Sequence, residues 1–546
     1  MRSSWCNLLR YATVGLLLCG LAGTATAANS VRVRLDADHR GAVSGRLLVF
    51  AVPAANAEIK DGKVAAVDIN LFKPTQAHIA AMEIPYLAPG GEINVDTDVL
   101  AFPAAFSSLP EGEYYLQAVL DVGRNYNYTL LANAGNGGHS AGDVLTQVAK
   151  VRWPATQPPL LSLAQVVPDR DVWALPPQWP SNAGRSRQSF ERYVDRARAH
   201  IQALDVSSSA LTQFSGVETR MRGWVLLPPG YEKSAGTYPT VYFTPGFGGT
   251  PNYLAMQAVK IHAATVEGHM PPMIWVFLEH NRATGTHEFA NSVNNGPWGR
   301  ALIEELVPWL ERQYRMDAKP SGRLLTGHSS GGWATLWLQV TYPETFGGAW
   351  ATAPDSSDFH DFSGIDLYAP AANVYRKADG TSHPLMRMEG KVLFTFEQFA
   401  RLERVLGEYG GQLASFDWVF SPRGADGRPL PMFNRDTGLV DSQVVAYWRE
   451  HYDIVHKLRT QWPVLKANLD GKIHLIIGDA DNIYLEGAAR RLKDTLQELG
   501  ARGDVRIVSG RDHFNLHTVG DDGLGLLKEI SKEMYRSARP QPALSN

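Results

Sequence analysis

The stretch Arg323-Leu324-Leu325-Thr326-Gly327-His328-Ser329-Ser330-Gly331-Gly332 contains the pattern G-x-S-x-G. A serine hydroxyl is a weak nucleophile until a neighbouring base takes its proton. The pattern presents that hydroxyl on a strained turn between a strand and a helix, where glycine neighbours leave room for close backbone approach. The flanks suit this: Leu324-Leu325 ends a strand, and Trp333 to Tyr342 reads as a helix stopping before Pro343. A second match, Gly138-His139-Ser140-Ala141-Gly142, follows the glycine- and asparagine-rich run Asn133 to Gly137. No apolar strand enters it and no amphipathic helix leaves it, so it reads as a loop. Ser329 is the expected nucleophile.

The base should lie late in the chain and after the acid, because hydrolases that use this turn run Ser, then Asp or Glu, then His. Lys472-Ile473-His474-Leu475-Ile476-Ile477-Gly478 is a strand that delivers Asp479-Ala480-Asp481-Asn482. Val505-Arg506-Ile507-Val508 is another, delivering Gly510-Arg511-Asp512-His513. Order and spacing select His513 as base and Asp481 as acid, with Asp479 the alternative; a turn aspartate bonding its own backbone is the competing role for Asp479. The oxyanion needs preorganised donors. The backbone N–H of Ser330 is one, and the N–H of Phe247, in Thr244-Pro245-Gly246-Phe247-Gly248-Gly249, is the second candidate. His513 and His517 are four apart, a spacing that on a helix could hold metal. No H-E-x-x-H occurs and no third ligand is suggested, so neither a metal nor a cofactor is expected.

The elements that must position these groups form two textures. From 28 to 153 short alternating runs such as Val31 to Leu35, Arg46 to Val52 and Tyr114 to Leu120 are separated by turn residues, which suggests an immunoglobulin-like β-sandwich. Residues 154–205 are rich in proline, including Pro158, Pro159, Pro176, Pro177 and Pro180, and read as a linker with a polar helix from roughly Ser189 to Ala203. From 206 to 540 strands alternate with amphipathic helices. Met273 to Leu278 is a continuous apolar run, and Leu302, Ile303, Leu306, Val307 and Leu310 recur at helical spacing. This rhythm implies an α/β fold, a mainly parallel sheet with helices on both faces. A long segment from about 357 to 469 interrupts it; a cap over the pocket and a peripheral insertion both remain open. All the assigned chemistry lies from about Met221 onward.

At the N-terminus, Arg2 and Arg10 precede the apolar run Val14 to Ala22, and small residues end at Ala25-Thr26-Ala27. This reads as a signal peptide, residues 1–27, with export to the periplasm or the extracellular space. The two cysteines, Cys6 and Cys19, both fall inside it, so a processed chain would carry no disulfide and no thiol nucleophile. The net charge of −3 leaves no electrostatic footprint for nucleic acid. No later segment is apolar enough to anchor the chain in a membrane.

Taken together, Leu226-Leu227-Pro228-Pro229-Gly230-Tyr231, Gly246-Phe247-Gly248-Gly249, Gly327 to Gly332, Pro343-Glu344-Thr345-Phe346-Gly347-Gly348, Gly478 to Asp481 and Asp512-His513 resemble the putative esterase family of α/β-hydrolases. That group includes esterase D, feruloyl esterases and enterochelin esterases. The resemblance runs from about Met221 to Tyr535 and implies Ser329, Asp481 and His513 as the triad. One departure is Pro245, where such proteins often carry histidine before the oxyanion glycine. The implied function is hydrolysis of a small or polymer-linked carboxylic ester through an acyl-enzyme. The alternatives are a prolyl-oligopeptidase-type peptidase, an acyltransferase, and a surface-binding protein on an inactive scaffold. The peptidase would normally carry a propeller, for which the N-terminal region is short.

Overall fold

The computed structural model describes residues 29–60, 63–64, 67–73, 75–123, 139–169, 171–174, 184–407 and 409–540. The expected signal peptide, the run Asn133 to Gly138, and Pro176, Pro177 and Pro180 lie outside the described residues.

Eight strands build the larger α/β unit's sheet: β1 (Ile201–Ser207), β2 (Arg220–Leu226), β3 (Thr240–Thr244), β4 (Ile274–Leu278), β5 (Arg323–His328), β6 (Gly348–Thr352), β7 (Ile473–Gly478) and β8 (Asp504–Val508). Their order is β1-β2-β4-β3-β5-β6-β7-β8. β2 runs antiparallel to both neighbours, and every pairing from β4 through β8 is parallel. Both faces are covered, which explains the continuous apolar runs. In β3 and β4, Val241, Phe243, Trp275 and Phe277 join one core, and Tyr242, Ile274 and Val276 join the other. Helices Pro251–Val266 and Ser330–Thr341 bury Leu254, Ala258, Trp333 and Leu336 in the first core, and Leu302, Leu306 and Leu310 pack in the second. The α/β-hydrolase sheet expected from the sequence is thus the observed mixed α/β architecture.

The expected linker differs. Residues Leu160–Val166 form a strand that pairs with Ser30–Leu35 and Val144–Thr146, and β1 starts at Ile201, pairing along its length with β2. Both strands fall in the 154–205 span read as linker. Backbone pairing to distant strands decides the segment's state. The polar helix is Gly184–Arg198, and it ends before Ile201 rather than running into it.

Nine of the strands between Ser30 and Val166 hydrogen-bond as one connected sheet, and Ile59–Lys60 pairs with Lys63–Val64 apart from it, so the expected immunoglobulin-like sandwich is not confirmed. One connected path of pairings runs from Glu92–Asp96 to Ala101–Phe102, and Ala149–Trp153 adds to Gly112–Asp121. Strand Val43–Pro53 is buried on both faces, and the two faces have different partners. Leu47, Val49 and Ala51 pack inside this β unit, whereas Leu48, Phe50 and Val52 belong to the core shared with the catalytic part.

Candidate active site

Ser329 sits between β5 and helix Ser330–Thr341 with φ +58° and ψ −127°, a conformation sparsely populated by residues with a side chain and costing on the order of 1–3 kcal/mol. The fold holds it there through backbone bonds. The Ser329 N–H donates to Thr352 O at 3.0 Å, and the N–H groups of Gly332 and Trp333 donate to Ser329 O at 2.7 and 3.0 Å. The glycines have physical causes. A Cβ on Gly327 would strike the Gly331 carbonyl, and one on Gly331 would strike the carbonyls of Thr244 and Pro245. The serine turn and the loop after β3 therefore meet backbone to backbone.

His513 and Asp481 come from loops after β8 and β7, as their positions in the sequence suggest. His513 Nδ1 lies 2.8 Å from Asp481 Oδ2. The other carboxylate oxygen accepts from the N–H groups of Ile483 at 2.9 Å and Leu485 at 3.4 Å. The His513 N–H donates to Asn482 Oδ1 at 3.0 Å, fixing the loop as well as the ring. Asp481, His513 and Ser329 are 0%, 4% and 6% exposed. Burial pulls the His513 pKa down, but the Asp481 carboxylate outweighs it, and the net shift is upward. Asp479 points elsewhere. It is half-buried, and its carboxylate accepts from Gly510 N at 2.7 Å, the turn role weighed as its alternative.

Ser329, His328, His513, Gly246 and Phe247 line one cavity. The loop carrying Gly246 and Phe247 is braced by Asn281, whose Oδ1 accepts from Gly248 N at 3.1 Å and whose Nδ2 donates to Gly249 O at 2.5 Å. His280 Nε2 lies 3.3 Å from Gly246 O. Ser330, the other oxyanion candidate, opens the helix, and its hydroxyl donates to Asp355 Oδ2 at 2.7 Å. Burial pushes the Asp355 carboxyl up to about 6.

Three histidines gather here. The His328 ring is 4.6 Å from that of His513 and 5.2 Å from that of His517. His328 Nδ1 and His517 Nε2 both lie 3.2 Å from the Thr352 hydroxyl. Burial lowers the His328 pKa well below the usual imidazole value and that of His517 to about 4, so both stay neutral while His513 is shifted the other way. Among the described residues no group of His, Cys, Asp or Glu is arranged to hold a metal ion.

Several residues around the cavity carry no sequence signal. Asn281, His280 and Asp355 belong to no motif. Phe399 and Gln412 reach the cavity from the 357–469 segment, and Leu71 reaches it from the N-terminal β unit. The second serine motif stays apart: Ser140 is exposed in a turn, its N–H donating to Asp143 Oδ2 at 2.7 Å.

Residues 215–387 match the family model described as putative esterase. Esterase Rv1288 of Mycobacterium tuberculosis (strain H37Rv) is 28% identical over 229 residues, covering 41% of this chain and 48% of that protein. Iron(III) enterobactin esterase of Dickeya dadantii is 25% identical over 162 residues, covering 27% and 36%. The chain spans about half the length of the first of these relatives. Among solved structures, a ferulic acid esterase aligns with a TM-score of 0.38 at 13% identity, covering 62% of this chain and 98% of its own. An S-formylglutathione hydrolase from Agrobacterium tumefaciens aligns with a TM-score of 0.33 at 14% identity, covering 62% and 95%.

Proposed function

With residues 215–387 matching the putative esterase family model, we propose that this chain is a serine carboxylic-ester hydrolase working through an acyl-enzyme. The observation that carries this reading is the buried His513–Asp481 pair opening on the cavity that also contains the strained Ser329. Because Nδ1 is engaged by Asp481, Nε2 is the nitrogen that accepts the Ser329 proton as Oγ attacks the ester carbonyl. The backbone N–H groups of Phe247 and Ser330 are the donors assigned to the oxyanion. Collapse expels the alcohol, which takes the proton from His513. Water then repeats the sequence on the acyl-enzyme, releasing the acid and restoring Ser329. The raised His513 pKa suits a group that must carry the proton between these steps.

The test is active-site labelling together with turnover. Wild-type protein should react with a small alkyl fluorophosphonate at Ser329 and hydrolyse p-nitrophenyl acetate. Ser329→Ala should lose labelling and about 10⁴-fold or more of turnover, while Ser140→Ala retains both. Turnover by Ser329→Ala near the wild-type rate overturns the assignment. Export is proposed on the charged, apolar and small-residue pattern of residues 1–27. Amino-terminal sequencing of protein recovered outside the cytoplasm, beginning after Ala27, is the expected result.

A further inference from the structure

Beside the cavity of Ser329 lies a second one, and the two share Phe399, Gln412 and Ile483 in their walls. This second cavity is narrow, with a volume of about 30 Å³. Its walls are mainly apolar: Phe362, Phe396, Phe416, Leu385, Met386 and Leu413 all belong to the 357–469 segment. The aromatic rings are braced against one another, with Phe362 and Phe416 at 5.3 Å and 79° and Phe362 and Phe396 at 6.3 Å. Asp355 is the charged residue in this lining, and its carboxylate already accepts the Ser330 hydroxyl bond. Ile483 and Leu485 also line the space while their N–H groups hold Asp481. One short segment therefore orients the acid and walls the second cavity.

We propose that this second cavity is a subsite for the acyl part of the ester, taking a medium-length unbranched apolar chain such as hexanoyl or octanoyl. The proposal rests on the esterase reading above. Two arguments lead to it. A sugar or peptide group here would find polar side chains only at Asp355, Ser356, Ser363 and Gln412, and each hydroxyl or amide left unmet against the remaining walls would cost about 1–3 kcal/mol, whereas an alkyl chain gains from those walls. The choice of acyl over alcohol follows from the reaction order. The alcohol must leave before water enters, while the acyl group stays bonded to Ser329 through both steps. A space walled by packed phenylalanines and adjoining the cavity of Ser329 suits the group that stays.

The experiment compares two ester series on the full-length protein. In the first, p-nitrophenyl esters run from acetyl to decanoyl; in the second, acetate is esterified to alcohols of increasing length. With each buried methylene contributing roughly a threefold to fourfold factor, kcat/KM should rise at least tenfold from acetyl to hexanoyl or octanoyl, and stay nearly flat along the alcohol series. Leu413→Trp, which fills the cavity, should lower the octanoyl-to-acetyl ratio by tenfold or more. Phe416→Ala, which enlarges it, should move the optimum to longer acyl groups, so the test does not depend on one variant folding. A flat acyl series, a length dependence seen instead in the alcohol series, or ratios unchanged in both folded variants overturns the subsite while Ser329 labelling leaves the esterase reading standing. Absence of both labelling and acetate turnover overturns the esterase reading and the subsite with it.

Discussion

Asp481 and Asp479 are two residues apart on one loop, yet their environments give them opposite roles. Asp481 is buried, accepts two backbone N–H bonds and pairs with His513; Asp479 is half-buried and ties down Gly510. Asp481→Asn should therefore lower kcat by about 10⁴-fold, because an amide there favours the wrong imidazole tautomer, while Asp479→Asn should stay within severalfold of wild type. Steady-state kinetics on the two variants checks this. The pH dependence has a definite sign. Catalysis needs neutral His513, whose pKa is raised, so kcat/KM should fall on the acid side with a midpoint above the ordinary imidazole value of about 6.5. In Asp481→Asn burial acts without the carboxylate, and the limb should move to lower pH. For folding the sign is reversed. The His513–Asp481 attraction stabilises the native state fully below the unfolded imidazole pKa, and that contribution is lost as pH climbs through the folded value.

At the scale of elements, the serine turn shows a tertiary contact overruling local preference. Gly331 and Gly332 occupy the first turn of helix Ser330–Thr341, although glycine costs a helix interior about 1 kcal/mol relative to alanine. The reason is the neighbouring loop: the carbonyls of Thr244 and Pro245 occupy the space a Gly331 side chain would need. Backbone atoms cannot swing aside as a flexible side chain can. Gly331→Ala should thus destabilise the protein by roughly 1–3 kcal/mol and reduce ester turnover, since the same shift moves the oxyanion loop. Thermal unfolding and p-nitrophenyl acetate hydrolysis measure the two effects, and an alanine variant equal to wild type in both would contradict the packing argument.

Across the whole molecule, the N-terminal sheet is joined to the site by helix Phe396–Gly407. Arg46, buried in strand Val43–Pro53, donates through Nε and Nη2 to Val405 O at 3.0 and 2.9 Å, and Nη2 also bonds Arg404 O. These carbonyls belong to the last turn of the helix, whose acceptors have no partner within the helix itself. Nη1 pairs with Glu83 at 2.6 Å. Phe399 on the same helix lines the catalytic cavity, Leu71 lines it from the β unit, and Phe72 packs edge-on against Phe514, beside His513, at 5.9 Å. Arg46→Met should cost about 1.5–3 kcal/mol in denaturant unfolding and weaken turnover through displacement of Phe399. Removing residues 29–166 strips a cavity wall and uncovers the apolar face of Leu48, Phe50 and Val52. Although every assigned catalytic group lies from Met221 onward, the truncated chain is expected to lose folded yield or small-ester turnover. A soluble truncation with wild-type kinetics would show that the interface does not support the site.

The sequence by itself determined which residues could do chemistry and their order along the chain: a serine between strand and helix, then an aspartate and a histidine at the ends of two later strands. Those features are local. A strand's apolar run, a turn's glycines and the residues following each strand come from interactions among chain neighbours, and β5, β7 and β8 formed where their residues pointed. The sequence favours Asp481 over Asp479 but keeps Asp479 as an alternative, because both follow the same strand and only the path of the His513 loop brings one of them to the imidazole. The tertiary structure also decided that residues 160–166 and 201–207 are strands within a proline-rich span, that the 357–469 segment walls the cavity, and that Leu71 reaches Ser329's surroundings. Each depends on surfaces far apart in the chain, as with Arg46 and Val405, 359 residues apart. Such contacts arise from shape and burial once whole elements pack, and no short pattern of residues records them.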